Sequence, residues 1–310
     1  MATSHSTAIP DPPEAQAGGS PPFGLAGLPP ARLLYWSVRR ELWENRWMYV
    51  VPLIVAAVFL CGFAIGLRLP PATHVTVSPP PFRSFQATPL DLASFAVMFT
   101  YLVVTVIYCL GALHGERSDR SILFWKSLPV SDAMTVIAKA TIPLVVLPLI
   151  TFAIIVVTQG IMSVAGSAAS IGRGVGGAAQ MPLLPMWAAL LYHLLTVHAL
   201  YYAPIYGWML LVSAWARRAA FLWAALPVAA VLIVERLVFN TSAFAHVLLS
   251  RLGGGPAAIP FPPPANMPME APTLANLEGF LASPGLWIGL AVFAAFLAGA
   301  AWLRRRQGPI

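Results

Sequence analysis

The sequence predicts an all-α polytopic membrane protein with six transmembrane helices, and three observations carry the prediction. First, 58% of the 310 residues are hydrophobic and only 9% are charged, against about 25% charged in a soluble domain. Second, six apolar stretches each come near the roughly 20 residues that an α-helix needs to cross about 30 Å of hydrocarbon. They run 49–67, 92–113, 141–163, 187–213, 221–239 and 284–303. Third, the basic residues are lopsided across that pattern. With both termini in the cytoplasm, the inner side holds Arg32, Arg39, Arg40, Arg46, Arg117, Arg120, Lys126, Lys139, Arg217, Arg218, Arg304, Arg305 and Arg306. The outer side holds only Arg68, Arg83, Arg173, Arg236 and Arg251. The positive-inside rule selects this orientation over its inverse.

Residues 1–30 are rich in Pro, Ala, Gly and Ser and open on no apolar run. They read as a disordered cytoplasmic tail without a cleavable signal, which leaves the first span as an anchor. The transmembrane domain then covers 31–310. It starts with ARLLYWSVRRELWENR, in which Leu34, Val38 and Leu42 recur every four residues while Arg39, Arg40, Glu41 and Glu44 lie largely elsewhere on the wheel. This is the pattern of an N-terminal amphipathic interfacial helix anchored by Trp36, Trp43 and Trp47; a plain extension of the first span is the simpler alternative.

An outer loop at 69–91 carries Pro79, Pro80 and Pro81. The inner segment 114–132, HGERSDRSILFWKSLPVSD, is the most charge-dense stretch of the chain. At its end Ser131 is placed to cap the following helix, with Asp132 favourable in its first turn. Pro143 and Pro148 fall in the third span, Pro204 in the fourth and Pro227 in the fifth, where each frees backbone carbonyls and favours a kink. The outer loop 164–186 is rich in Gly, Ala and Ser, but its glycines follow no strand, so it is no phosphate loop. The last outer segment, 240–283, pairs a short apolar piece, SAFAHVLLSRL, with a Pro-rich surface stretch. That piece is too short to span, so it is re-entrant or interfacial. No internal repeat is evident.

The net charge of +7 belongs to residues that flank spans, so anionic lipid headgroups account for it better than nucleic acid. Cys61 and Cys109 lie in apolar spans without metal-ligand spacing and read as packing residues. Neither Lys126 nor Lys139 follows a glycine in a GxxxxGK[ST] context, so the chain carries no P-loop. Each inner segment is shorter than about 50 residues, the lower end of domain size, and none holds a nucleotide-binding domain.

Ser, His and Asp assemble into no catalytic set, so the chain is not expected to be an enzyme. His193 and His198 are five residues apart, which on an α-helix sets them about 140° apart. They read as separate packing or cavity-facing side chains, with no metal site. Tyr192, Tyr201, Tyr202, Tyr206 and Trp208 make the fourth span aromatic, suited either to bundle packing or to lining a path. Glu235 and Arg236 near the outer end of the fifth span either snorkel to the interface or serve a pathway.

Residues 108–140, YCLGALHGERSDRSILFWKSLPVSDAMTVIAKA, and above all ERSDRSILFWKSLPVSD at 116–132, resemble the stretch between the second and third spans of ABC type-2 exporter permeases. The six-span layout, the N-terminal helix and the long last outer loop are also similar to that family. The chain departs from the family pattern at Gly111, where an acidic residue is usual. The resemblance implies a subunit of a bacterial inner-membrane exporter that pairs as a homodimer or heterodimer and docks on a separate P-loop ATPase. ATP and Mg would be bound by that ATPase and not by this chain. Carried onto this sequence, it makes 114–132 the coupling segment. Glu116, Arg117, Asp119, Arg120 and Lys126 would meet complementary charges on the ATPase, with Phe124 and Trp125 as apolar anchors. Two other classes stay open: a secondary transporter driven by an ion gradient, resting on Glu235, His193 and His198, and a non-transporting membrane scaffold.

Overall fold

The computed structural model describes residues 29–68, 88–119, 121–123, 130–172, 183–253 and 273–306. Among the described residues the chain is helical and has no strand. In order, it forms α1 (Pro30–Glu44), α2 (Trp47–Arg68), α3 (Pro89–Gly111), α4 (His114–Ser118) and α5 (Asp132–Thr141). A π-helical turn (Ile142–Val146) joins α5 to α6 (Leu147–Gly172). Next come α7 (Leu183–His193), a π-helical segment (Leu194–Tyr201) and α8 (Ala203–Trp215). The chain continues as α9 (Ala220–Val234), a third π-helical segment (Glu235–Phe239), α10 (Ala243–Leu252), α11 (Leu274–Leu281) and α12 (Pro284–Arg306).

Six helical runs are long and apolar enough to cross a membrane: Trp47–Arg68, Pro89–Ser118, Asp132–Gly172, Leu183–Tyr201, Ala220–Phe239 and Pro284–Arg306. This is the architecture of a multi-pass membrane protein, and each run overlaps an expected span. Two differ from expectation. The third helix runs 41 residues, well past both ends of 141–163. The fourth, expected as one helix over 187–213, is divided at Tyr202. Pro204 supplies the reason, because it has no N–H to continue the ladder into the preceding turn. The Tyr202 N–H reaches back five residues to the carbonyl of Val197, at 3.0 Å, as a π-helix requires.

The prolines of the third span act in the same way. In the π-helical turn, the Leu147 N–H bonds the carbonyl of Ile142. The next donor in that register would be residue 148, a proline without an N–H, so the carbonyl of Pro143 is left free. The buried Tyr101 hydroxyl donates to it at 3.3 Å. A sequence feature that frees a backbone group is thus matched by a side chain from the neighbouring span.

At the helix starts, the Thr88 hydroxyl accepts from Asp91 N–H while the Asp91 carboxylate accepts from Thr88 N–H, a closed capping box for α3. The Ser131 hydroxyl accepts from Met134 N–H at 3.1 Å, the cap expected for α5.

The main core gathers Tyr101, Tyr108, Ile142, Leu147, Tyr206, Leu210 and Phe280, drawn from spans two, three and four and from α11. Val38 and Leu42 of α1 pack against it. α8 packs closely on α12, where a Cβ on Gly207 would lie 2.7 Å from the Phe293 ring. By contrast, α9 buries nothing beyond Ala220. The fifth span leans on the bundle along one edge and leaves an apolar cavity behind it.

Candidate functional site

One end of the bundle, the basic end, carries α1, α4, the start of α5 and Arg304–Arg306 of α12. There, among the described residues, the side chains of Arg40, Glu41 and Glu44 of α1, Glu116 of α4, Asp132 and Lys139 of α5 and Arg304 of α12 meet. Lys139 sits at the centre, donating to Glu41 Oε1 at 2.7 Å and lying 3.0 Å from Glu116 Oε1. Arg304 pairs with the other Glu116 oxygen through Nη1 and donates through Nε to Asp132 Oδ1 at 3.0 Å. Arg40 closes the group, 3.2 Å from Glu41 and 3.8 Å from Glu116. The Tyr108 hydroxyl donates to the free oxygen of Glu41 at 3.1 Å. Glu41, Glu116, Lys139 and Arg304 are all buried, with 1%, 8%, 2% and 4% of their surface exposed.

Burying one such ion without a partner costs several kcal/mol. Among the described residues four carboxylates face three cations, and each of these charges has an opposite within 4 Å. The pairs join residues 98 and 188 positions apart in the chain. The cluster is a joint that fixes α1 and the sixth span to the end of the second span and the start of the third.

A second lock holds α4 to the end of α8. Ser213, fully buried, accepts through its hydroxyl from the backbone N–H groups of Leu113 and His114 at 3.0 and 2.9 Å. These are donors that a helix start leaves without partners. In return the Arg117 guanidinium donates to the carbonyls of Ala214, at 2.5 Å, and Ala216, at 3.4 Å. Those carbonyls are what the end of α8 leaves open, and a cation suits the negative end of its dipole. The two helices cap each other.

This placement bears on the expectation for the coupling segment. Glu116 and Arg117 are turned into the protein, where Glu116 pairs with Lys139 and Arg304 and Arg117 donates to the carbonyls of Ala214 and Ala216. Desolvation is the physical reason, since a charge this close to packed apolar helices needs an internal counter-charge or acceptor. Asp119 is exposed, its carboxylate accepting from Ser121 N–H at 2.9 Å. Arg120, Phe124, Trp125 and Lys126 lie outside the described residues. Beside the joint is a cavity of about 510 Å³ lined by Glu41, Glu44, Gly111, Glu116, Asp119 and Lys139 among others. Gly111 borders it with open space where a Cβ would be.

Sequence reasoning missed Glu41, Tyr108, Asp132 and Arg304 as members of one site. Lys139 was the available signal: a lysine inside the otherwise apolar run AMTVIAKATIP must find a counter-charge or reach water.

The histidines also depart from expectation. The i→i+5 repeat of the Leu194–Tyr201 segment stacks residue 198 over residue 193, where α-geometry would separate them. Their rings lie 5.0 Å apart. His198 is buried against the rings of Tyr101 and Tyr202, at 5.5 and 5.1 Å, and its Nδ1 has no hydrogen-bond partner among the described residues. Among the described residues no third His, Cys, Asp or Glu joins them to form a metal-binding group. Glu235 is not deep in the bundle. Its carboxylate accepts from Phe244 N–H, at 3.0 and 3.1 Å, and from the Thr241 hydroxyl at 3.2 Å, so it caps the start of α10.

Compared with known protein families, curated proteins and solved structures, the chain matches none.

Proposed function

We propose that this chain is the membrane-spanning permease subunit of an ABC exporter, moving a substrate across a bacterial inner membrane with ATP hydrolysed by a separate P-loop subunit. The observation that supports it best is the pair of locks at the basic end. A permease driven from outside needs the segment after its second span to move as one piece with the spans. Here α4 is bonded to the end of α8 through Arg117 and Ser213, and to α1, α5 and α12 through Glu116. A push delivered to α4 would reach four helices. The basic end faces the cytoplasm in this reading, as the distribution of arginines requires.

The burial of Glu116 and Arg117 shifts the docking role to Asp119, Arg120, Phe124, Trp125 and Lys126. Glu235 serves as a helix cap, which supports the exporter reading over a gradient-driven mechanism that would rest on that carboxylate.

The test is affinity capture of the tagged chain in mild detergent, beside a variant carrying Asp119→Ala, Arg120→Ala and Trp125→Ala. Glu116 is left intact so that the joint survives. A P-loop ATPase should accompany the native chain and be lost from the variant. Absence of an ATPase from both samples would contradict the proposal.

A further inference from the structure

The cavity behind the fifth span has a volume of about 770 Å³, within the roughly 300–1,000 Å³ of small-molecule sites. Its walls come from α3, α8, α9, α10 and α12, with Trp208, Phe221, Leu232, Val247 and Phe296 among the lining side chains. Arg251, at the end of α10, is the one charged residue of that lining among the described residues. α10 follows a reversal of the chain at Asn240, which takes a left-handed conformation with φ of 50°. It then runs back along the fifth span, so the short apolar piece of the last outer segment lies against the bundle.

The seat of Arg251 is specific. Its guanidinium stacks on the Tyr201 ring at 4.3 Å and donates to the carbonyls of Tyr201, at 3.3 Å, and Gly285. Gly289, in the second turn of the sixth span, makes room for it; a Cβ there would lie 2.5 Å from a guanidinium nitrogen. Two carbonyls take two of the five N–H donors of a guanidinium. Among the described residues no carboxylate pairs with Arg251. Among the described residues the charge therefore stands at the edge of an apolar cavity without a counter-ion, which is costly in a membrane unless something anionic completes it.

We propose that the cavity holds an anionic phospholipid of the bilayer, with an acyl chain against α9 and α12 and the headgroup phosphate on Arg251. A planar guanidinium suits phosphate through paired N–H donors. The bilayer is the source because the fifth span buries nothing after Ala220, so the wall it forms stands in lipid. This inference is independent of the transport reading and needs only that the chain sits in a membrane.

The full chain is reconstituted in nanodiscs of equal phosphatidylglycerol and phosphatidylcholine with identical acyl chains, then released in mild detergent, and the retained lipid is weighed by native mass spectrometry. The native protein should retain phosphatidylglycerol over phosphatidylcholine on the order of tenfold beyond the supplied ratio, as one charge-assisted contact implies. Arg251→Gln should return the ratio to that of the disc. Val247→Trp, which narrows the cavity and leaves the Arg251 seat in place, should weaken the retention of both lipids. The proposal is overturned by retention without headgroup preference in the native chain. It is equally overturned by an undiminished preference in Arg251→Gln, or by a lipid-free dimer whose second copy covers the cavity. Should Arg251→Gln fail to fold, Val247→Trp decides alone: phosphatidylglycerol retained at the native level sinks the idea.

Discussion

The molecule handles buried positive charge in two opposite ways. At the basic end, Lys139 and Arg304 are enclosed, and among the described residues four carboxylates answer three cations within 4 Å. On the far side of the bundle, Arg251 meets only carbonyls and a ring among the described residues, and borders an apolar cavity. The difference separates structure from site. A compensated cluster joins helices and has no affinity left to offer, whereas an uncompensated charge beside open space is a place for a ligand. The contrast makes opposite demands on mutants: removing a charge from the joint should unfold, and removing Arg251 should spare the fold and change what is bound.

The largest effect is expected for Lys139→Met. It leaves Glu41 and Glu116 facing each other without their shared cation, and breaking a buried pair in this way costs about 3–5 kcal/mol. Unfolding in mixed dodecyl maltoside and dodecyl sulfate micelles measures it. A loss no greater than that of an exposed lysine would mean the cluster is not a closed joint. Glu116→Gln comes next, since the amide still fills the space but no longer balances Lys139 and Arg304; about 2–4 kcal/mol should be lost in the same titration. Tyr108→Phe removes one donor to the Glu41 carboxylate and should cost about 1–3 kcal/mol. Smallest is Arg251→Gln, expected to cost about 1 kcal/mol through the lost ring contact and weakened carbonyl bonds. If it destabilises the chain as much as Lys139→Met, the contrast between joint and site fails.

The spans were legible because each is a continuous apolar run, and apolarity over 20 residues is a property that sequence carries directly. The cap at Ser131 was legible for a similar reason, since donor and acceptor lie three residues apart. What escaped was whatever depends on two distant segments meeting. Glu116 and Arg304 are 188 positions apart, and nothing local in either tells of the other. Arginines near span ends satisfy the positive-inside rule whether they face lipid headgroups or a buried carboxylate, so the rule behind the expected orientation concealed the joint.

His193 and His198 failed for another reason. Helical spacing was read with 3.6 residues per turn, and the stretch before Pro204 winds with a wider repeat that brings the fifth residue round to the first. The proline was visible; the register it imposed on the preceding turns was not.

The measurement that bears most directly on the joint is a double-mutant cycle between Glu41 and Lys139, whose charged atoms lie 2.7 Å apart. Glu41→Gln, Lys139→Met and the double variant are each unfolded in mixed micelles. The two single losses should sum to more than the loss of the double variant, by about 0.5–3 kcal/mol, because the second substitution removes a charge the first has already stranded. Strict additivity would show that the two side chains do not support each other, and the basic end would then be a set of neighbours and not a joint.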